Sequence, residues 1–318
     1  MNRYENKVGF AIGTGRCGTL FLYQVLDKEP QVASSHERNP DNETFHRYCN
    51  WHNLPVDNEG FLAIKEKEIQ ADLESHAYSF EASPYLSLSV KELHERFSAK
   101  FVLLLRRPDR VVTSFAHKGF YRYPYIVRDV NLATGYQDQS PDKAFTFFAR
   151  IAPRGDFLRT WNEMSQVGRV AWFWHAWNER TLACLNELPK ESYRIVRIED
   201  LDYEKYIELS IFLGYRSRIS QAEFDAIRAS KPHAFWRKRN VDQWSGQEIR
   251  EFEGQVRDLA AHFDYEYRVA HLIDEARVEQ EDAMKSGHIP PRKAQKLWRL
   301  RRMTAQWLRG IAGNIDVE

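Results

Sequence analysis

Residues 8 to 22 read Val8-Gly9-Phe10-Ala11-Ile12-Gly13-Thr14-Gly15-Arg16-Cys17-Gly18-Thr19-Leu20-Phe21-Leu22: a short apolar run, a cluster of glycines, then apolar residues at helical spacing. A strand that passes through glycines into a helix lets backbone amides approach an anion, and the helix start adds unpaired N–H groups and the positive end of its dipole. The segment therefore commits the chain to an α/β fold with a phosphate-binding loop near its start. Two phosphate readings follow from spacing alone. Gly13, Gly15 and Gly18 satisfy G-x-G-x-x-G, and Glu37 lies near the distance at which a dinucleotide fold places its ribose-binding acid. Gly13 and Gly18 also have P-loop spacing, but Thr19 stands where a nucleoside triphosphatase needs Lys, which argues against ATP or GTP hydrolysis.

The rest of the chain fits this frame. Apolar, β-branched runs at Val8–Ile12, Gln31–Ser34, Ser79–Glu81, Phe101–Leu105 and Tyr193–Arg197 alternate with helical patterns, the signature of a three-layer fold with a mostly parallel sheet. Phe101–Leu105 has no polar alternation and is expected to be buried on both faces. Between about 119 and 190 no strand pattern appears. The run Ala171-Trp172-Phe173-Trp174-His175-Ala176-Trp177-Asn178 has helical spacing there and reads as an aromatic core helix within a helical cap insertion.

Hydrophobic residues make up 43% and charged residues 29%, and 46 Lys+Arg almost cancel 45 Asp+Glu in 318 residues, so neither a disordered chain nor wholesale nucleic-acid binding is favoured. Three cysteines, Cys17, Cys49 and Cys184, lack CxxC spacing, so no zinc framework or disulfide scaffold is expected. The first apolar run is too short for a signal or membrane anchor, and a cytoplasmic location is expected. The net charge of +1 is nonetheless a cancellation: residues 285–318 carry +6 and the remainder −5. After Pro290-Pro291, Leu297, Leu300, Thr304, Trp307, Leu308 and Ile311 make one apolar stripe, so the segment reads as a basic amphipathic helix, either packed on the domain or touching an anionic membrane. The organisation expected is a domain over 1–284 and a tail over 285–318.

A second cationic element decides among the phosphate readings. The buried run ends in Arg106-Arg107-Pro108, Pro108 can begin a helix, and Ser114 lies two turns along it. An arginine fork with a hydroxyl suits a phosphate monoester. Together, Thr14-Gly15-Arg16-Cys17-Gly18-Thr19 and Arg106-x-Pro108…Ser114 resemble the 5′-phosphosulfate loop and the 3′-phosphate motif of the sulfotransferases that use 3′-phosphoadenosine 5′-phosphosulfate (PAPS). Glu81-Ala82-Ser83-Pro84-Tyr85-Leu86 is similar to that family's acid-x-Ser-Pro-x-Tyr segment, with Ala82 where some carbohydrate sulfotransferases carry Lys. Val196–Leu201 with Phe212-Leu213-Gly214 resembles its late strand, Glu-Asp-Leu and Phe-Leu-Gly. Arg237-Lys238-Arg239-Asn240-Val241-Asp242-Gln243-Trp244 resembles the basic loop that closes over the nucleotide.

The resemblance covers residues 8 to about 268 and implies a P-loop-like α/β fold that takes PAPS as co-substrate and needs no metal. It places Thr14, Gly15, Arg16, Cys17, Gly18, Thr19 and Leu20 on the 5′-phosphosulfate, Arg106 and Ser114 on the 3′-phosphate, and Arg237 and Arg239 over the nucleotide. Cys17 stands where Ser is common and is read as a small loop residue. The family uses His or Glu as base, and His36 and Glu37 both end the second strand; Glu37, followed closely by Pro40, matches the Glu branch. By chemistry alone His36 is the better poised, since a carboxylate near pKa ~4.3 is a poor base unless burial raises it. Arg16 is then expected to assist the leaving group in place of the missing Lys. The motif style points to a carbohydrate or glycolipid acceptor, with Phe120, Tyr121, Tyr123, Tyr125, Trp172, Trp174 and Trp177 as stacking candidates or ordinary packing. The competing readings are an NAD(P)-dependent oxidoreductase and a nucleotide- or glycan-binding protein without turnover.

Overall fold

The computed structural model describes residues 2–123, 150–230 and 241–275, together with Val278. They fall into two units, Met1–Tyr267 and Arg268–Glu318. In the second, a helix runs over 269–275; the tail 285–318 lies outside the described residues, as do Arg237, Arg239 and Tyr125.

The first unit is built on five strands, β1 (Val8–Gly13), β2 (Val32–His36), β3 (Tyr78–Ala82), β4 (Lys100–Leu105) and β5 (Tyr193–Arg197), all parallel and ordered β2-β3-β1-β4-β5. The sequence runs expected to form strands do so. Phe101 to Leu105 are each at most 1% exposed, so every apolar side chain of β4 contributes roughly 1.5–3 kcal/mol of burial. Val102→Asp would place an unpaired charge between helices and break the sheet.

Both faces of the sheet are covered, which parallel crossovers require. Ala11, Phe80, Val102 and Leu104 pack in one cluster with Leu22, Val25 and Leu26 of α1 (Thr19–Leu26) and with Tyr206, Leu209, Leu213 and Phe224. On the other face Phe10 stacks on Phe101 at 5.8 Å. The crossovers there carry α2 (Pro40–His52), α3 (Asn58–Ser75), α4 (Val90–Phe97) and α5 (Pro108–His117). Local chemistry sets their starts. Pro40 and Pro108 occupy first-turn positions where a missing N–H costs nothing, followed by Asp41 with Glu43 and by Asp109, which complement the helix dipole.

Between α5 and β5 the described residues form only helix and loop: α6 (Phe157–Glu163) and α7 (Gln166–Asn186), the latter capped by Ser165 accepting from the Gly168 amide at 3.0 Å. The first unit ends, among the described residues, with α8 (Tyr203–Leu213), α9 (Gln221–Ser230) and α10 (Gly246–His262), where Ser245 and Glu248 form a capping box. Among the described residues no helix is long and apolar enough to cross a membrane.

This order puts β1 at the centre. Its connection to β2 runs to one side and the later step to β4 crosses to the other, so the crevice where ligands bind in open α/β sheets opens at the carboxyl end of β1, under the glycine loop.

Candidate active site at the carboxyl edge of the sheet

The loop after β1 is held at Gly13 by three hydrogen bonds to two side chains. Trp177 Nε1 of α7 donates to the Gly13 carbonyl at 2.8 Å, Ser87 Oγ donates to the same oxygen at 3.1 Å, and the Gly13 amide donates back to Ser87 Oγ at 3.1 Å. Gly18, at φ 112°, is the N-cap of α1, where no side chain caps the helix and a Cβ would meet Ile198 Cγ1 at 2.6 Å. The first-turn amides of α1 therefore face the loop without a competing cap. Arg16 is also left-handed, at φ 57°, a costly conformation for a non-glycine residue.

That conformation brings the two cationic motifs together. Arg16 Nε donates to Ser114 Oγ at 2.8 Å, and Arg106 Nη1 donates to the Arg16 carbonyl at 2.9 Å. Burial, and then their mutual repulsion, lowers the Arg16 pKa; burial does the same for Arg106, with Glu199 opposing it. Glu199 also accepts from the Arg107 amide at 3.0 Å, and Trp174 Nε1 donates to the Arg106 carbonyl at 3.0 Å, so the turn after β4 is fixed on both sides. Lys118 lies one turn beyond Ser114 on the same helical face, and its charge reaches both Arg16 and Glu37.

Thr14 hydrogen-bonds within the loop, and Cys17 is wholly buried at its base. Burial pushes the Cys17 thiol up, the reverse of an activated thiolate. Thr19 opens α1, with His36 Nε2 at 3.4 Å from its hydroxyl and 3.9 Å from Glu37 Oε1. Leu20 follows in the same turn.

Glu37 ends the second arm of the site. At φ 49° it turns out of β2, its amide donating to the Ala82 carbonyl at 3.2 Å. Burial raises its carboxyl above the ordinary 4.5, while a hydrogen bond from Tyr85 and the fields of Lys118, Arg47 and Arg16 hold it down. A half-buried carboxylate with a raised pKa is a competent proton acceptor near neutral pH. Arg47 of α2 lies under it, 2% exposed, its guanidinium 4.7 Å from the Tyr85 ring centre and 4.9 Å from that of Trp177.

Of the predicted site residues, Thr14 to Leu20, His36, Glu37, Arg106 and Ser114 line this one edge. The sequence reading missed Arg47, Lys118 and the part played by Tyr85. The signal for Arg47 was present: α2 lacks an apolar stripe, and Glu43 and Arg47 stand at i,i+4 on its buried face. Trp174 and Trp177 are core residues, as the helical spacing implied, but each also pins a carbonyl of the site. Among the described residues no group of three or more His, Cys, Asp or Glu is arranged to hold a metal ion.

Comparison with protein-family models gives no match, and comparison with curated protein sequences gives none either. Solved structures do match. The chain is similar to the sulfotransferase domain from the Synechococcus PCC 7002 olefin synthase, at 14% identity over 83% of this chain and 97% of that one, with a TM-score of 0.44. It is similar to the sulfotransferase domain from the curacin biosynthetic pathway, at 14% identity over 82% and 98% with a TM-score of 0.44. It is also similar to the sulfotransferase STF9 from Mycobacterium avium, at 11% identity over 83% and 78% with a TM-score of 0.48.

Proposed function

We propose that this chain is a sulfotransferase that moves a sulfuryl group from PAPS to a hydroxyl of a carbohydrate or glycolipid acceptor. The observation that carries the reading is the junction of the glycine loop with the second cationic motif through Arg16, Ser114 and Arg106. A loop suited to one phosphate and a guanidinium–hydroxyl pair suited to another then form one connected set, which fits a nucleotide phosphorylated at both its 5′ and 3′ positions. The uncapped start of α1, the Thr19 hydroxyl and Arg16 would take the 5′-phosphosulfate; Arg106 and Ser114 would take the 3′-phosphate.

The sheet order disfavours the dinucleotide alternative. In that fold the strand bearing the ribose-binding acid lies beside β1, whereas here β3 stands between β1 and β2, and Glu37 turns toward Arg16 and Tyr85.

In the proposed reaction Glu37 accepts the proton of the acceptor hydroxyl. The freed oxygen forms a bond to sulfur as the bond from sulfur to the 5′-phosphate oxygen breaks, and the electron pair leaves with adenosine 3′,5′-bisphosphate. Arg16 balances the charge that grows on the departing oxygen, since Ala82 supplies no cation there. Phe120 and the exposed Tyr123, which follow Lys118 in the chain, would offer rings to the acceptor. The basic segment 285–318 would bring the enzyme to an anionic membrane that carries a lipid acceptor; deleting it and finding liposome binding unchanged removes that part.

Titration with adenosine 3′,5′-bisphosphate, NAD and ATP tests the donor, because only this reading requires the 3′-phosphate. Transfer of labelled sulfate from PAPS to glycan and glycolipid acceptors tests turnover. Preference for NAD overturns the proposal, and bisphosphate binding without transfer to any acceptor favours a binding protein.

A further inference from the structure

A buried ionic cluster adjoins the site without touching the glycine loop. Lys65 of α3 is 0% exposed and its Nζ donates to Glu43 Oε1 at 2.5 Å and Glu81 Oε2 at 2.9 Å, with Glu68 Oε2 also at 2.9 Å. A cluster of this kind is costly to bury and contributes little net stability compared with apolar packing. The other bonds made by its carboxylates indicate its use. Glu81 Oε1 accepts the Arg38 amide at 3.0 Å and Glu43 Oε1 accepts the Asn39 amide at 3.1 Å. Glu43 Oε2 accepts from Ser83 Oγ at 2.6 Å, tying the cluster to the segment that carries Tyr85.

Arg38 and Asn39 are the two residues after Glu37, whose own amide is bonded to Ala82. Three consecutive amides of the left-handed turn are thus pinned, two of them by carboxylates that Lys65 holds in place. The Arg38 side chain adds a further tie, donating to Asp72 Oδ2 at 2.8 Å and Ser35 Oγ at 2.9 Å. Glu37 itself meets Tyr85, Arg47, Lys118, Arg16 and His36.

We propose that Lys65 is a positioning residue for the base: by holding Glu43 and Glu81 it fixes the Arg38 and Asn39 amides and keeps Glu37 in the turn that aims its carboxylate at Tyr85 and Arg16. The proposal rests on Glu37 being the base, but its geometric core is independent of turnover.

The test compares Lys65→Met and Glu81→Leu with the wild-type chain. Carbon-13 NMR of labelled glutamate, assigned with Glu37→Gln, follows the titration of the Glu37 carboxyl, and activity and bisphosphate affinity are measured alongside. Both variants release the turn and let water reach the carboxylate, so each is expected to lower the Glu37 midpoint by about half a pKa unit or more. Both should also reduce kcat about 100-fold while leaving bisphosphate affinity within about twofold, the pattern of a displaced catalytic group. The two substitutions change the buried charge in opposite directions, so a mere field effect would move the midpoint in opposite directions. That result, or an unmoved midpoint in a folded variant, overturns the proposal. Lys65→Met leaves Glu43 and Glu81 without their cation; where it does not fold, Lys65→Arg, which keeps the buried charge and alters only the geometry in which Glu43 and Glu81 are held, carries the test in its place, and an unmoved midpoint there overturns the proposal. Failure of the wild-type chain to bind the bisphosphate would instead count against the sulfotransferase reading, and the NMR titration would still judge the geometry.

Discussion

Arg16 Nε and Ser114 Oγ stand 2.8 Å apart across 98 positions of sequence, and Arg106 holds the Arg16 carbonyl from the other side. Ser114 is wholly buried, so its hydroxyl serves the interior of the site rather than solvent. Ser114→Ala would remove a hydrogen bond to a charged group, worth about 1.5–3 kcal/mol, and free Arg16 from its left-handed position. The expected result is a loss of about tenfold or more in affinity for adenosine 3′,5′-bisphosphate by calorimetry. NAD should bind neither protein.

The raised pKa of Glu37 has two opposite consequences. As the proposed base it must be ionised, so kcat/KM, which reports the free enzyme, should rise with pH through a midpoint above the ordinary 4.5. Tyr85→Phe removes a donor to the ionised form, so that midpoint should move upward, and activity below it should fall. Glu37→Gln should abolish turnover with bisphosphate affinity retained.

For stability the sign reverses. A carboxylate whose folded pKa exceeds its unfolded value resists ionisation in the fold, so its contribution is most favourable below 4.5 and is lost as pH rises through the folded pKa. Glu37→Gln should therefore match the wild-type melting temperature near pH ~4 and exceed it near pH ~8, a cost of function expressed as instability.

His52 gives the opposite pH dependence. It is 1% exposed, neither ring nitrogen has a hydrogen-bond partner, and burial, then the nearby Arg154 charge, pushes its pKa down from 6.5 to about 4. The unfolded chain binds the proton more readily, so stability should fall as pH drops from 6.5 toward about 4, by up to about 3 kcal/mol. His52→Phe should flatten that part of the curve, measured by urea unfolding at pH values across the window.

Gly18→Ala should lose both fold and ligand. An alanine there adopts φ 112° at a cost of roughly 1–3 kcal/mol and drives its Cβ to 2.6 Å from Ile198 Cγ1. Adding Ile198→Ala should relieve the clash but not the backbone strain. Thermal unfolding of the single and double variants, read beside bisphosphate binding, separates the two costs.

The elements that the sequence exposes best are those with one dominant physical cause. β4 is legible because five successive apolar residues suit only a strand buried on both faces, and the start of α5 because Pro108 and Asp109 belong to a first turn. The loop from Gly13 to Thr19 is legible because its glycines have little other use. Strand order was not legible: nothing in Tyr78–Ala82 says that it inserts between β1 and β2. Arg47 and Lys65 escaped notice because cations are ordinarily read as surface residues, and here both are buried by partners distant in sequence. The roles of Trp174 and Trp177 depend on carbonyl acceptors 68 and 164 positions away, which no local pattern encodes.

The bond from Trp177 to the Gly13 carbonyl has a temporal meaning. A growing chain makes the glycine loop well before α7, so one of the loop's clamps arrives 164 positions later, on a helix that must dock before the carbonyl is held. Contacts so separated in sequence close late, after the local helices have formed. Ordering of the glycine loop should accordingly wait on the docking of α7, so binding of adenosine 3′,5′-bisphosphate, followed by pulses during refolding, should appear together with that docking and not before it.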